Sequence, residues 1–191
     1  EKKISFVIHA DNYILCQSAD YNYTLEGNPN PRKYDVVIGN PPYMKVSKDA
    51  PEALAMQDVC YGAPNMYFLF ASMSLFNLRE SGEMVYIIPR SWTSGAYFKR
   101  FRQMFLSIGA LEHIHLFVSR DKVFEKESVL QETIIVKVRK DAKKPDFVTI
   151  SASQSNRDFA DMTVFEAPYS TVVNGEESYV YLVTNEDEAE I

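Results

Sequence analysis

The 191 residues suit one domain or a domain with an appendage, and 46% apolar content is enough to bury a core. No apolar run approaches the roughly 18 residues needed to span a bilayer, and Glu1-Lys2-Lys3-Ile4 does not open a signal peptide, so a cytoplasmic chain without membrane contact is expected. The net charge of −6 is unevenly spread: the eight acidic residues from Asp161 onward have no Lys or Arg among them, which leaves 20 basic against 18 acidic side chains before them and permits a polyanionic partner. Cys16 and Cys60 show no Cys-x-x-Cys or Cys/His pairing, which argues against a zinc site; both read as ordinary reduced thiols. His9, His113 and His115 lie in or beside strand-like runs and read as hydrogen-bonded sheet histidines, so no metal site is expected. A start at Glu1 rather than Met suggests a piece of something longer.

In chain order, Ile4-Ser5-Phe6-Val7-Ile8 reads as a buried strand delivering His9-Ala10-Asp11-Asn12 at its carboxyl end. Residues 18–34 are polar and turn-rich, with Asn28-Pro29-Asn30-Pro31 opposing helix and central strand, and read as a surface connection. Tyr34-Asp35 opens the next strand, Val36-Val37-Ile38-Gly39, which runs directly into Asn40-Pro41-Pro42-Tyr43. Two successive prolines remove two amide donors and fix two φ angles, and each pushes its predecessor towards an extended conformation. The product is a stiff turn at the end of a strand, where open α/β sheets bind ligands. Such a turn can aim the Asn40 side-chain oxygen and the Pro41 carbonyl at a planar amino group while Tyr43 lays its ring on the heterocycle that carries it. An ordinary loop turn is the competing reading.

Met44 to Pro64 shows no clear period apart from a helical turn near Pro51 to Gln57, and reads as a lid over the site or an unordered excursion. Asn65 is placed to cap a strongly apolar helix from Met66 to about Arg79, stopped by Ser81-Gly82. Met84 to Pro89 follows as a strand, the parallel crossover unit of a doubly wound sheet. Ser94 is placed to cap the next helix, with Phe98, Phe101 and Phe105 facing the core and Lys99, Arg100 and Arg102 facing solvent. His113 to Val118 and Glu132 to Arg139 are two further strands, separated by Ser119 to Gln131. Arg139 to Asp146 reads as a lysine-rich linker, followed by short strands at Phe147 to Ser151 and Tyr179 to Val183, with Asn174-Gly175 as a turn. No internal repeat is present.

The stretch from Asp35 to Tyr43 resembles the motif of amino-group methyltransferases that use S-adenosylmethionine, and most of all the gamma-class N6-adenine DNA methyltransferases of restriction-modification systems, the TaqI-like group. Asn65-Met66-Tyr67 and Pro89-Arg90-Ser91-Trp92 resemble two further segments of that family, although Trp92 also reads as a loop anchor by packing. The resemblance implies an α/β fold: part of a doubly wound, Rossmann-like methyltransferase sheet with helices on both faces, and a short β-rich C-terminal extension. It implies residues 1–140 as the acceptor-side half of a catalytic domain and residues 141–191 as a linker and extension towards a target-recognition domain. It implies Asn40, Pro41, Pro42 and Tyr43 as the catalytic turn. Asp11 would accept a hydrogen bond from the adenine of S-adenosyl-L-methionine, with Asn12 beside that ring, where the family often has an aromatic, and Asn40 also near the cofactor. For Asp11 a strand-end cap is the alternative. Tyr43 and Phe124, the latter in Val123-Phe124 with basic neighbours, would sandwich an adenine flipped out of double-stranded DNA; Phe117 is the rival for the second stacking position.

Adenine N6 is a weak nucleophile, and two fixed acceptors would stabilise the positive charge that builds on it without a strong base. Neither cysteine follows a proline, the setting that cytosine-C5 chemistry requires. No Gly-x-Gly occurs and the first glycine is Gly27, so the family's glycine-rich cofactor loop and ribose-holding acid are missing. Weak or absent cofactor binding by this chain alone is therefore expected, as is self-association through an exposed sheet edge. Two alternatives stay open: an amino methyltransferase acting on protein glutamine or RNA guanine, and a non-catalytic specificity or structural portion of a restriction-modification complex.

Overall fold

In the computed structural model, which describes residues 3–29, 34–118 and 132–189, the strand that carries the Asn40 turn lies at the edge of a six-stranded sheet. The elements, in chain order, are α1 (Ser18–Leu25), β1 (Tyr34–Gly39), α2 (Pro51–Ala55), α3 (Met66–Asn77), β2 (Leu78–Pro89), α4 (Lys99–Ile108), β3 (Gly109–Phe117), β4 (Thr133–Lys140), β5 (Phe147–Ser153), β6 (Thr163–Pro168), α5 (Tyr169–Val172), β7 (Val173–Asn174), β8 (Tyr179–Val180) and α6 (Glu186–Ala189). The sheet order is β1, β2, β4, β3, β5, β6, with β7 and β8 paired separately. β1 runs parallel to β2, and β3 parallel to β5, while β4 opposes both of its neighbours and β6 opposes β5. Four strands thus share one direction, as a sheet built on crossover helices requires.

Alternation sets the core. Met84, Tyr86 and Ile88 align with Val138, Val136 and Ile134, these with Leu111, Ile114 and Leu116, and Ile114 with Ile150, and all are buried. α3 is apolar nearly all round and correspondingly buried, and Asn65 caps it, its side-chain oxygen accepting from the Tyr67 amide at 3.3 Å. The sequence reading placed helices on both faces; the described helices gather on this one. Val172, Val180, Val183 and Ala189 complete the same cluster with Phe165 and Ala167. The opposite face is polar where it crosses β2, β4 and β3: Lys137 pairs with Glu83 at 2.7 Å and Glu112 at 3.2 Å, and Glu112 also holds Arg139. Beyond them Ser151 contacts both His113 (2.7 Å) and His115 (2.8 Å), Ser153 contacts His115 (2.9 Å), and Phe159 packs on His115. The sheet histidines are hydrogen-bonded, as expected.

Several boundaries differ from expectation for physical reasons. Ile4 to Ile8 is not a strand: Ile4, Phe6 and Ile8 are largely exposed, and no described strand lies beside them to accept their backbone hydrogen bonds. Residues 18–25 form a helix rather than a loop because Tyr21 is buried against Phe76 and bonds Asp58. After residue 140 the chain rejoins the sheet, β5 pairing directly with β3. The turn at Asn174-Gly175 is as expected, Gly175 taking φ +77° between β7 and β8.

Ser94 does not cap α4. The N-cap position belongs to Phe98, with no side-chain bond; within the helix Arg102, which was expected in solvent, is 0% exposed. Its guanidinium donates to the carbonyls of Trp92 (2.9 Å), Gly95 (2.7 Å) and Glu177 (3.2 Å) and lies over the Tyr179 ring. One side chain therefore ties the loop after β2 to α4 and to the β7–β8 hairpin. Lys99 reinforces the tie with an ion pair to Glu177 at 2.8 Å.

Two predictions follow from these buried polar groups. Arg102→Met leaves carbonyls without a donor, at about 1–3 kcal/mol each, whereas the exposed Gln103→Met stays within about 0.5 kcal/mol; urea denaturation compares them. Burial, then Lys137, holds the His113 imidazole below its ordinary value; burial, then His113, does the same for His115 against an opposing Asp158. The unfolded chain then binds protons that the folded chain refuses, so stability falls as pH drops through about 6.5. The urea midpoint decreases from pH 7 to pH 5, and a His113→Gln/His115→Gln variant flattens that slope.

Candidate active site

The turn emerges from β1 with Asn40 exposed and Pro41 buried, and the Asn40 side chain has no hydrogen-bond partner among the described residues. Tyr43 is fixed from two sides. Its hydroxyl donates to the Ile87 carbonyl of β2 at 2.9 Å, and its ring meets Tyr67 edge-on at 6.4 Å. Burial pushes the Tyr43 phenol up, so it stays a neutral donor at any physiological pH. The ring plane is therefore set before any ligand arrives.

Tyr67 connects this ring to the next loop, its hydroxyl lying 3.1 Å from the Ser91 side chain. The sequence marked Tyr67 only as part of a helix start; the aromatic contact depends on tertiary geometry that spacing does not carry. Trp92, as the packing alternative had it, is wholly buried against Phe101 and Phe105. After Tyr43 the chain pairs locally with the start of α3: the Val46 amide donates to the Pro64 carbonyl and the Met66 amide to the Met44 carbonyl. The connection between them is ordered, with Ala53, Met56 and Val59 buried. In the same connection the Cys60 thiol is pushed up to about 11 by burial and then by Asp58, as befits an unreactive cysteine, and neither cysteine is paired.

Asp11 is exposed, with His9 4.0 Å away. Asn12 is committed elsewhere: its side-chain oxygen accepts from the Ile14 and Leu15 amides and its amino group donates to Glu52 at 2.7 Å. Its amide caps the following turn and ties it to α2. The Glu52 bond brings the Asp11-Asn12 segment against the connection that leaves Tyr43. Phe124, with Val123, lies outside the described residues. Phe117, its rival, packs against His115 and Phe159 on the polar face of the sheet. No group of three or more His, Cys, Asp or Glu side chains among the described residues could hold a metal ion. No helix among them is long and apolar enough to cross a membrane.

Comparison with known proteins places this geometry in a family. Residues 6–124 match the model of the Eco57I restriction-modification methylase. The chain is 37% identical over 161 residues to the type II methyltransferase M.PstI of Providencia stuartii, covering 83% of this chain and 32% of that protein. It is 33% identical over 159 residues to M.BsuBI of Bacillus subtilis, covering 82% and 31%. The chain thus spans about a third of the length of these relatives. Among solved structures, a modification subunit of a putative type I restriction enzyme from Vibrio vulnificus superposes with a TM-score of 0.58 at 11% identity, covering 84% of this chain and 39% of that one. A putative class I S-adenosylmethionine-dependent methyltransferase from Listeria monocytogenes gives 0.54 at 19% identity, covering 70% and 41%. These two likenesses concern the fold. The turn, its placement at the carboxyl end of β1 and the sequence matches agree: the chain belongs to the Eco57I restriction-modification methylase family.

Proposed function

We propose that the protein of which this chain forms the acceptor side transfers a methyl group from S-adenosylmethionine to the N6 amino group of an adenine flipped out of double-stranded DNA. The observation that carries the reading is the pairing of a free Asn40 amide with a pre-fixed Tyr43 ring at the carboxyl end of β1. Asn40 Oδ1 and the Pro41 carbonyl accept the two amino hydrogens, which draws the nitrogen towards pyramidal geometry and stabilises the positive charge developing there. Tyr43 supports the ring of the base by stacking, with its hydroxyl anchored on Ile87 so that the plane does not turn. Alignment supplies much of the remaining acceleration, and a base inside a duplex cannot reach it, hence extrusion. Phe124 is proposed for the opposite face of the base.

The residues fit the cofactor in part. The exposed carboxylate of Asp11 is available to accept from the adenine amino group of S-adenosylmethionine, while Asn12 is occupied by its cap. When bound, the cofactor supplies an electrophilic sulfonium methyl. Asn40, Pro41 and Tyr43 hold the acceptor nitrogen in place, and its proton leaves to solvent.

The test is methyl transfer by the full-length gene product from radiolabelled S-adenosylmethionine to host DNA, with nucleoside analysis of the product. N6-methyladenine is expected. Asn40→Ala lowers kcat by about 10²–10³-fold, and Tyr43→Phe retains more activity than Tyr43→Ala. Label appearing in protein or RNA instead, or a product other than N6-methyladenine, overturns the acceptor assignment; no transfer with any substrate overturns the enzyme.

A further inference from the structure

Beside Tyr43 lies a cleft of about 660 Å³ whose lining includes Lys45, Asn65, Arg90, Ser91, Tyr97 and Glu132. It shares walls with the proposed base site. Lys45 bridges to Asn65 two residues after Tyr43, the Tyr43 hydroxyl is bonded two residues before Pro89, and the Tyr67 hydroxyl meets Ser91. Its charges are unequal in availability. Arg90 pairs with Glu132, which cancels the one carboxylate of the lining among the described residues, whereas Lys45 is exposed and has no ion-pair partner among them. Tyr97 is 63% exposed, and its ring lies so close to Gly62 that a Cβ there would stand 2.3 Å from it. Next along the rim, Arg100 sits over the exposed Tyr61 ring and donates to the Cys60 carbonyl. A cation and an aromatic ring thus line the cleft, and a cation–aromatic pair follows in the chain segment that reaches Gly62.

From this we infer that the cleft carries the sugar-phosphate backbone of the target strand next to the extruded nucleotide, with Lys45 on a phosphate and the Tyr97 ring against the neighbouring base. The inference rests on the DNA reading above and deepens it. An extruded base stays tethered to its backbone, so the backbone must run along a wall of the site that holds the base. Of the cations lining that wall among the described residues, Lys45 is the one without an ion-pair partner, and an aromatic face beside it suits an unstacked strand, which binds by such an alternation of charge and ring.

The test uses the full-length gene product and a 20-base-pair duplex containing the sequence it methylates in host DNA. Binding is followed by fluorescence anisotropy against salt. Lys45→Gln is expected to weaken binding several-fold at about 0.15 M salt and to lower the slope of log Kd against log salt by about 0.9. Lys45→Arg restores the slope, and Lys143→Gln, on a distant exposed turn, leaves it unchanged. A neutral methylphosphonate at one phosphate flanking the target adenine reproduces the loss in the wild type and adds nothing in Lys45→Gln. An unchanged slope in Lys45→Gln, or losses that multiply at every flanking phosphate, overturns the inference while methyl transfer to DNA persists. A wild-type protein that transfers no methyl group to DNA overturns the DNA reading itself, and this inference with it.

Discussion

Everything at the proposed site depends on how β2 holds the end of β1. Gly39, the last residue before the turn, sits on the Tyr86 ring so closely that a Cβ would stand 2.9 Å from it. From the other side of the turn, Tyr43 reaches back to the Ile87 carbonyl. The two contacts fall on successive residues of one strand, one to a side chain and one to the backbone, so β2 grips the turn at both of its ends. Tyr86 is itself held, its hydroxyl 2.5 Å from Ser74 of α3. Ser74 in turn lies 3.0 Å from the Tyr13 hydroxyl, to which Asn77 donates. A single run of polar contacts under the sheet therefore backs both the Asn40 turn and the segment that follows Asp11.

The turn was legible in the sequence because its determinants are local. Two prolines after an apolar strand dictate their own geometry wherever they occur, and the same holds for the Asn65 cap and the Gly175 turn. What the sequence concealed depended on neighbours. Ile4 to Ile8 has the composition of a strand, but a strand exists only where another accepts its hydrogen bonds. Arg102 stands among Lys99, Arg100 and Gln103 in a stretch that reads as solvated, and only the arrival of three carbonyls from distant positions makes its burial tolerable. Asn12 was read from its place after Asp11, and the sequence did not show that its amide also caps the turn that follows, as side-chain amides near a helical turn do.

The sheet has two chemically different faces, and they divide its labour. One is apolar and carries α3 and α4, which set the height of the loops at the carboxyl ends of the strands. The other is built from ion pairs and a row of histidines and serines. Such a face binds its own strands together laterally without needing a packed layer, while Val36 and Ile38 at the β1 edge remain exposed. β1, the strand that carries the turn, is thus the least covered by the described residues.

The arginine under the loop after β2 has a consequence for cooperativity. Its three acceptors come from residues 92, 95 and 177, so the guanidinium keeps its hydrogen bonds only when the loop, α4 and the late hairpin are all in place. None of the three can loosen alone without stranding a charge in an apolar surround. The wall that faces the proposed substrate and a hairpin some eighty residues downstream consequently open and close as one unit, and local unfolding of either is unfolding of both.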